Sequence, residues 1–317
     1  MSALLETRDL KKYFDTPDGK LHAVDNINLS INKGETLGVV GESGCGKSTL
    51  GRTILRLIEP TSGQILFDNK DICKLNKQEM KQARTDMQII FQDPYSSLNP
   101  RMTVKDLIAE PLLIYKVHKN SADREKAILE LMDKVGLARR FANSYPHELD
   151  GGRRQRIGVA RALALNPKFI VCDEPVSALD VSIQAQILNL LMDLQDEMGL
   201  TYMFITHDLS VVRHISNNIM VMYLGQCIEK ASAEDIFTNP LHPYTKALLS
   251  AIPRLDLSCR NEKTQIIRGE VTSPIEPKPG CRFASRCEFC TKACTQHDFA
   301  LREVSPGHFV SCVKYEG

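Results

Sequence analysis

Residues 37–48 read Leu-Gly-Val-Val-Gly-Glu-Ser-Gly-Cys-Gly-Lys-Ser, and this stretch decides the fold. Its first four residues, 37–40, form a short apolar run typical of a buried strand, and residues 49–58 have the apolar spacing of a helix. Between them, Gly41–Ser48 matches the pattern G-x-x-x-x-G-K-[ST] without a departure. A glycine loop between a strand and a helix is the context in which this pattern, the P-loop, binds phosphates.

The chemistry of this loop follows from its residue types. Glycines let successive backbone N–H groups point inward around phosphate oxygens, and the helix N-terminus adds free donors and partial positive charge. Lys47 is predicted to reach the β- and γ-phosphates, and Ser48 to ligate Mg²⁺. The residues predicted to bind nucleotide here are Gly41, Glu42, Ser43, Gly44, Cys45, Gly46, Lys47, Ser48 and Thr49.

The composition is that of a globular protein. With 317 residues the chain suggests two domains, and a hydrophobic fraction of 43% is ample for a core. Forty basic and 39 acidic side chains leave a net charge of +1, so we expect no nucleic-acid partner from bulk charge. No apolar run reaches about 18 residues, and the N-terminus lacks the pattern of a signal peptide. We therefore expect a cytosolic chain with reduced cysteines.

Two apolar runs end in polar residues suited to nucleotide chemistry. The run 87–91 is followed by Gln92, whose amide oxygen is of the kind that can approach a metal. Taken alone, Gln92 would more often be a solvated loop residue. The run 168–172 ends at Asp173 and Glu174. Asp173 is predicted to hold Mg²⁺ through a water molecule, and Glu174 to polarise the attacking water.

Two further features fit the same chemistry. The buried strand predicted at 201–206 is followed by His207, at the strand end where ligands bind in open α/β sheets. A single histidine is more often structural, but here it is placed to donate to a γ-phosphate. Residues 149–156 contain a Gly-Gly pair that opens a helix, which makes a second potential anion cradle. Standing alone, this pair would be an ordinary helix start.

The rest of the chain indicates the domain organisation. Residues 27–31 alternate apolar and polar side chains, as in an antiparallel strand. Helical periodicity at 104–115 and 123–135 indicates a helical insertion in an α/β core, with the second helix starting at Asp123. We expect a nucleotide-binding domain over residues 1–252, with a helical insertion at about 95–165. A linker over 253–280 and a Cys-rich tail over 281–317 are expected to follow.

The tail carries the spacing Cys281-x5-Cys287-x6-Cys294-x17-Cys312 and leaves Cys290 over. Four thiols in a short segment without its own apolar core suggest organisation by a metal. A [4Fe–4S] cluster uses four thiolates. Zinc also takes four, although its usual paired spacing is absent from this quartet. Cys287, Cys290 and Cys294 form a partial alternative set, and free thiols or disulfides are less expected in a reducing compartment.

Together these motifs resemble the nucleotide-binding subunit of an ATP-binding cassette (ABC) transporter, over roughly residues 4–235. The resemblance implies an ATPase with an α/β fold: a P-loop NTPase core with a mixed sheet, an antiparallel β portion, a helical insertion and a small Cys-rich C-terminal extension. In the family the base-stacking aromatic ends an L-x-K-x-[FY] pattern, which selects Phe14 over Tyr13. In this chain the P-loop is Gly41–Ser48, the Q-loop centres on Gln92 and the signature is Leu149–Arg156. The Walker B strand ends at Asp173-Glu174, the D-loop is Ser177–Asp180 and the switch histidine is His207.

The stretch 239–249 narrows the resemblance to the oligopeptide and dipeptide importers and their nickel-carrying relatives. Membership implies a second, similar ATPase, two membrane permeases, an extracytoplasmic substrate-binding protein and a position at the cytoplasmic face of the membrane. Two ATPases would close head to tail, with each ATP between one P-loop and the partner's signature, here Asp150, Gly151 and Gly152. Tails in this group look like [4Fe–4S] sites, which favours the cluster over zinc.

One departure concerns the signature, which in the family usually begins Leu-Ser-Gly-Gly-Gln and here has Asp150 and Arg153. An ionised Asp150 cannot donate to the partner's γ-phosphate and would repel it. Arg153 and Arg154 could offset this charge, or Asp150 could turn away as the helix N-cap. We expect the site built on this signature to be weaker. Two alternatives remain open: a mainly regulatory ATP-binding subunit, and a soluble cassette ATPase in iron–sulfur assembly or translation.

Overall fold

A computed structural model describes residues 3–252, 269, 272–296 and 298–315 of the chain. The chain divides into two units. The first, which we call the helical unit, comprises residues 32–35 and 74–205. The second, which we call the P-loop unit, comprises the described residues of 3–31, 36–73 and 206–315. Most of the predicted linker over 253–280 lies outside the described residues.

Strands and helices alternate along most of the described chain. In chain order, the strands are β1 Ala3–Thr16, β2 Gly19–Asn32, β3 Thr36–Val40, β4 Ser62–Phe67, β5 Lys70–Asp71, β6 Met87–Ile90, β7 Phe169–Asp173, β8 Thr201–Ile205, β9 Asn218–Tyr223, β10 Gln226–Ser232, β11 Arg302–Ser305 and β12 His308–Val310. The α-helices are α1 Lys47–Ile54, α2 Lys77–Asp86, α3 Pro94–Ser97, α4 Val104–Ile114, α5 Ser121–Lys134, α6 Gly151–Leu163, α7 Val181–Met198, α8 Leu209–Ile215, α9 Ala233–Thr238 and α10 Pro243–Ser250.

The P-loop unit contains an antiparallel sheet and a mixed one. The antiparallel sheet has the order β2-β1-β4-β5, and the strand predicted from the alternation at 27–31 lies within β2. The mixed part has the order β11-β12-β10-β9-β3, in which β3 and β9 are parallel and the other pairs antiparallel. All five residues of β3 are buried, as expected for an apolar strand in the parallel part of a sheet. The predicted α/β class with a mixed sheet and an antiparallel portion is confirmed.

The Cys-rich tail joins the mixed sheet through β12. This strand pairs with β10, and the Glu229 carboxylate, fully buried on β10, is 2.8 Å from Nε2 of buried His308 on β12. The same carboxylate accepts the N–H groups of Leu241 at 2.7 Å and His242 at 2.9 Å. A buried carboxylate is costly without such partners. Glu229 therefore ties the tail, the mixed sheet and the stretch that leads into α10 together.

The helical unit holds three parallel strands and the helical insertion. The strand order is β8-β7-β6, and Asp173 at the end of β7 pairs in register with Ile205 of β8. The two predicted insertion helices are present as α4 and α5. The second begins at Ser121 rather than at Asp123, because Asn120 is the N-cap and its side chain accepts the N–H of Asp123.

Among the described residues, none of the helices has the length and apolar character that crossing a bilayer requires.

Candidate nucleotide-binding site

The P-loop leaves β3 and enters α1 with its glycines in backbone conformations closed to other residues. Gly41 has a φ of 153° and Gly46, the N-cap of α1, a φ of 104°. A Cβ on Gly41 would lie 2.2 Å from the carbonyl oxygen of Met222, and one on Gly46 would lie 2.0 Å from that of Ala23. These carbonyl oxygens leave no space for a Cβ at either position. Glycine is therefore required at both, by the available space and by the φ angle.

Lys47 bridges the loop from its helical end to its beginning. Its side chain is buried, and Nζ donates to the carbonyl oxygens of Gly41 at 2.7 Å and Glu42 at 2.9 Å. Gly46 offers no side chain to cap α1, so the first-turn N–H groups of Ser48 and Thr49 face the loop at a positive helix end. A buried cation and a helix N-terminus together make an anion site.

His207 lies in the same unit, beside the start of the loop. The N–H of Thr206 donates to the carbonyl of Val39 at 3.1 Å, which places the chain after β8 next to the end of β3. His207 follows at once and is exposed. The structure thus brings His207 to the strand end from which the P-loop begins, and its contact with a γ-phosphate stays a prediction.

The predicted acid pair and Gln92 come together in the helical unit. Asp173 ends β7 and is 1% exposed, so its carboxylate is shielded from bulk water. Glu174 has a φ of +47°, an unfavourable value for a non-glycine residue. Gln92 Nε2 donates to Glu174 Oε2 at 2.8 Å. The hydrogen bond between Gln92 and Glu174 was not predicted, because they are 82 residues apart in sequence.

The signature helix α6 shows which way Asp150 faces. Asp150 is the N-cap: Oδ1 accepts the N–H of Arg153 at 2.8 Å, and Oδ2 pairs with Arg153 Nη1 at 2.7 Å. Asp150 is therefore the N-cap of α6, as one of the two possibilities considered from the sequence has it. Arg153 is its counter-charge. A Cβ on Gly151 would lie 3.0 Å from Leu179 Cδ2, and one on Gly152 would lie 2.7 Å from Ile183 Cγ2, so a larger residue would require these side chains to shift.

The aromatic pair on β1 is divided between two environments. Tyr13 stacks on His22, with ring centroids 3.8 Å apart, and its hydroxyl donates to Asp25. Burial, followed by the hydrogen bond to Asp25, raises the pKa of the Tyr13 hydroxyl. Phe14 is half-buried, and the Lys12 ammonium lies 4.8 Å from its ring centroid. The Tyr13 side chain is therefore held by its hydrogen bond to Asp25. Base stacking by Phe14 stays a prediction.

Four of the five tail cysteines line one small cavity together with Phe283 and Phe289: Cys281, Cys287, Cys294 and Cys312. Cys290 is exposed and lies outside this lining. Burial raises the pKa of the Cys281 thiol to about 11 and also raises those of Cys287 and Cys312. Within the described parts of the chain, no three His, Cys, Asp or Glu side chains stand in ready metal-binding geometry. The predicted quartet lines one cavity, but its thiols are not arranged as metal ligands in the structure, so a metal group at this place stays a prediction.

The crowding at Gly46 generates a test of the loop. Gly46→Ala should lower the free energy of unfolding by more than about 2 kcal/mol, since it adds a backbone clash to an unfavourable φ. Gly44 is the matched control, because its φ is 79° and a Cβ there would meet nothing within 4 Å. Gly44→Ala should cost only about 1 kcal/mol. Equal losses for the two variants in chemical denaturation would contradict this account of the loop.

Comparisons with known proteins agree with this geometry. The family described as ABC transporter matches residues 24–177, and that described as oligopeptide/dipeptide transporter, C-terminal region, matches residues 228–294. The oligopeptide transport ATP-binding protein AppF of Bacillus subtilis is 50% identical over 98% of this chain and 97% of its own. The oligopeptide transport ATP-binding protein OppF of Salmonella typhimurium is 51% identical over 99% of this chain and 96% of its own.

Solved structures resemble the chain over its cassette part. The dimeric ATP-binding cassette MJ0796 bound to ADP and Pi has a TM-score of 0.67 and 33% identity, covering 72% of this chain and 98% of that one. CbiO1 from Clostridium perfringens, part of the transporter complex cbiONQ, has the same TM-score with 28% identity, covering 75% and 92%. Identity near one half over nearly the full length settles the family: the chain belongs to the ABC transporter ATP-binding proteins, in the oligopeptide/dipeptide group.

Proposed function

We propose that this chain is the ATP-hydrolysing motor subunit of an importer, coupling ATP binding and hydrolysis to uptake of di- and oligopeptides. The observation that carries this proposal is the match over nearly the full length to oligopeptide transport ATP-binding proteins, in a chain whose Glu174 accepts a hydrogen bond from Gln92. Nickel is the alternative cargo, since permeases and a binding protein rather than the ATPase select what is carried.

In the proposed reaction the chain's own residues divide the work. Lys47 would transfer its hydrogen bonds from the loop carbonyls to the β- and γ-phosphates, while the N–H groups of the P-loop bind the phosphate oxygens. Glu174 would polarise the attacking water, and His207 would contact the γ-phosphate. Mg²⁺, when bound by Ser48, Gln92 and Asp173 (Asp173 through water), would neutralise charge on those oxygens.

The proposed partners follow from the same family. A second ATPase subunit, identical or similar, would supply its signature to ATP on this P-loop and receive Asp150, Gly151 and Gly152 in return. Two permeases would hold the pair at the cytoplasmic face of the membrane, and an extracytoplasmic binding protein would deliver cargo. The dimeric cassette among the similar structures supports such pairing. Asp150 favours one alternative, a mainly regulatory subunit that binds ATP while its partner turns it over.

Glu174→Gln separates the motor from the regulatory alternative. The substitution keeps the shape of the side chain but removes the charge that polarises water, so ATP binding should persist. Turnover by the assembled transporter should fall at least about a hundredfold. Glu197→Gln, at an exposed carboxylate late in α7, is the control and should leave turnover intact. Unchanged turnover in Glu174→Gln would favour the regulatory alternative.

Asp150→Ser tests the weakened signature. Serine is a good N-cap, so α6 should keep its start, while the Asp150 carboxylate is removed from the signature and Arg153 loses its counter-charge. Turnover of the assembled pair should rise about two- to fivefold, the range of one exposed charge contact of up to ~1 kcal/mol. Asp150→Asn keeps the cap but offers no hydroxyl, and should rise less. A fall in turnover for Asp150→Ser would count against the hypothesis.

We further propose that Cys281, Cys287, Cys294 and Cys312 hold a [4Fe–4S] cluster, with zinc as the alternative. The shared cavity supports this set over any that includes Cys290. Four thiolates would supply the coordination of either group. The raised thiol pKa values mean that protons must leave when the group binds, so loading should tighten as pH rises from about 6 to about 8.

Single serine substitutions test the quartet. Anaerobically purified chain should be brown, with absorption near ~400 nm and about four irons per chain. Cys281→Ser should lose most of this absorption, whereas Cys290→Ser should keep it. A colourless protein with one zinc per chain would replace the cluster by the alternative, and equal losses in both variants would contradict the quartet.

A further inference from the structure

The segment between the first two thiols of the quartet, residues 281–287, which we call the thiol loop, contacts the P-loop directly. Arg286 Nη1 and Nη2 donate to the two carboxylate oxygens of Glu42, at 2.8 and 3.2 Å. The Arg286 side chain is 7% exposed and that of Glu42 is 27% exposed. Arg286 Nη1 also donates to the Tyr223 hydroxyl at 3.2 Å. The contact is thus a largely buried, bidentate pair between residues 244 positions apart.

The thiol loop makes a second ionic contact in the same unit. The Arg282 guanidinium pairs with the carboxylate of Asp25 and donates to the carbonyl of Leu224. Asp25 also accepts from the Tyr13 hydroxyl, next to the predicted base-stacking Phe14. The thiol loop therefore contacts the P-loop through Arg286 and strand β2 through Arg282.

Three buried aromatic rings fill the space between the thiols and the P-loop. Phe283 lines the thiol cavity, and its ring centroid lies 5.3 Å from those of Tyr223 and Tyr244 in edge-to-face contacts. The Tyr244 hydroxyl accepts the backbone N–H of Glu42 at 2.9 Å. Both the backbone and the side chain of Glu42 are thus held by residues that pack against the thiol loop.

Electrostatics explains why such a hold is needed at Glu42. A carboxylate inside a loop that receives a triphosphate repels the ligand, most strongly where water is scarce. Arg286 neutralises that carboxylate and draws it toward the tail. Without Arg286, the carboxylate would be drawn toward the next available cation or donor, and Lys47 is the buried cation of the same loop.

We propose that Arg286 is a positioning residue for the P-loop, and that its pairing with Glu42 sets how tightly the chain binds Mg-ATP. The proposal rests on ATP binding at the P-loop.

The proposal is tested by a double-mutant cycle in the purified full-length chain. Binding of Mg²⁺ and a non-hydrolysable ATP analogue is measured by calorimetry for Arg286→Met, Glu42→Gln and the double variant. Arg286→Met should raise the dissociation constant about tenfold, within the usual range of such couplings. In the Glu42→Gln background the same change should have little effect, because no carboxylate remains to be held.

Two further variants serve as controls for this test. Arg286→Lys keeps the charge but loses the bidentate geometry, so its affinity should lie between those of the native chain and Arg286→Met. Lys292→Met, at an exposed tail cation, should bind like the native chain. A merely structural role would give the same loss with and without Glu42, and that outcome overturns the proposal. Native-like binding by both Arg286 variants overturns it as well.

If the native chain bound no nucleotide at all, the proposed function would fall first, so that failure and a failure of the Arg286 proposal are distinguishable.

Discussion

A loop that collects backbone N–H groups for a triphosphate must be held in shape before the ligand arrives, because its own residues offer little to hold it. In this chain, residues outside the loop do most to keep its backbone in shape. Carbonyls of Ala23 and Met222 close the space at Gly46 and Gly41, and Tyr244 accepts the N–H of Glu42. Lys47 bridges the loop from within. Preorganisation of this kind lowers the entropy that nucleotide binding would otherwise cost.

The carboxylates predicted to act on nucleotide have different hydrogen-bonding partners, according to their position in the chain. Glu42 in the loop is paired with Arg286, and Asp150 in the signature is paired with Arg153. Each pairing removes negative charge from a surface that is predicted to face phosphate. Glu174 accepts a hydrogen bond from the amide of Gln92, which orients the carboxylate that is predicted to polarise water.

Local patterns predicted much of the fold and most of the candidate site. The strand, loop and helix around Gly41–Ser48, the acid pair ending β7 and the thiol quartet all depend on neighbours in sequence, so spacing alone reveals them. Contacts that depend on distant pairing were not predicted. The bond from Arg286 to Glu42 and the addition of β12 to β10 join segments brought together only by folding. No local pattern distinguishes such an arginine from an exposed one.

The central claim is that the P-loop of this chain is a preformed phosphate cradle. A crystal structure of the chain with Mg²⁺ and a non-hydrolysable ATP analogue tests it most directly. The account predicts the β- and γ-phosphates inside Gly41–Ser48, with Lys47 Nζ moved from the Gly41 and Glu42 carbonyls onto phosphate oxygens and the loop backbone otherwise unchanged. A nucleotide bound elsewhere, or a P-loop that refolds to accept it, would contradict the account.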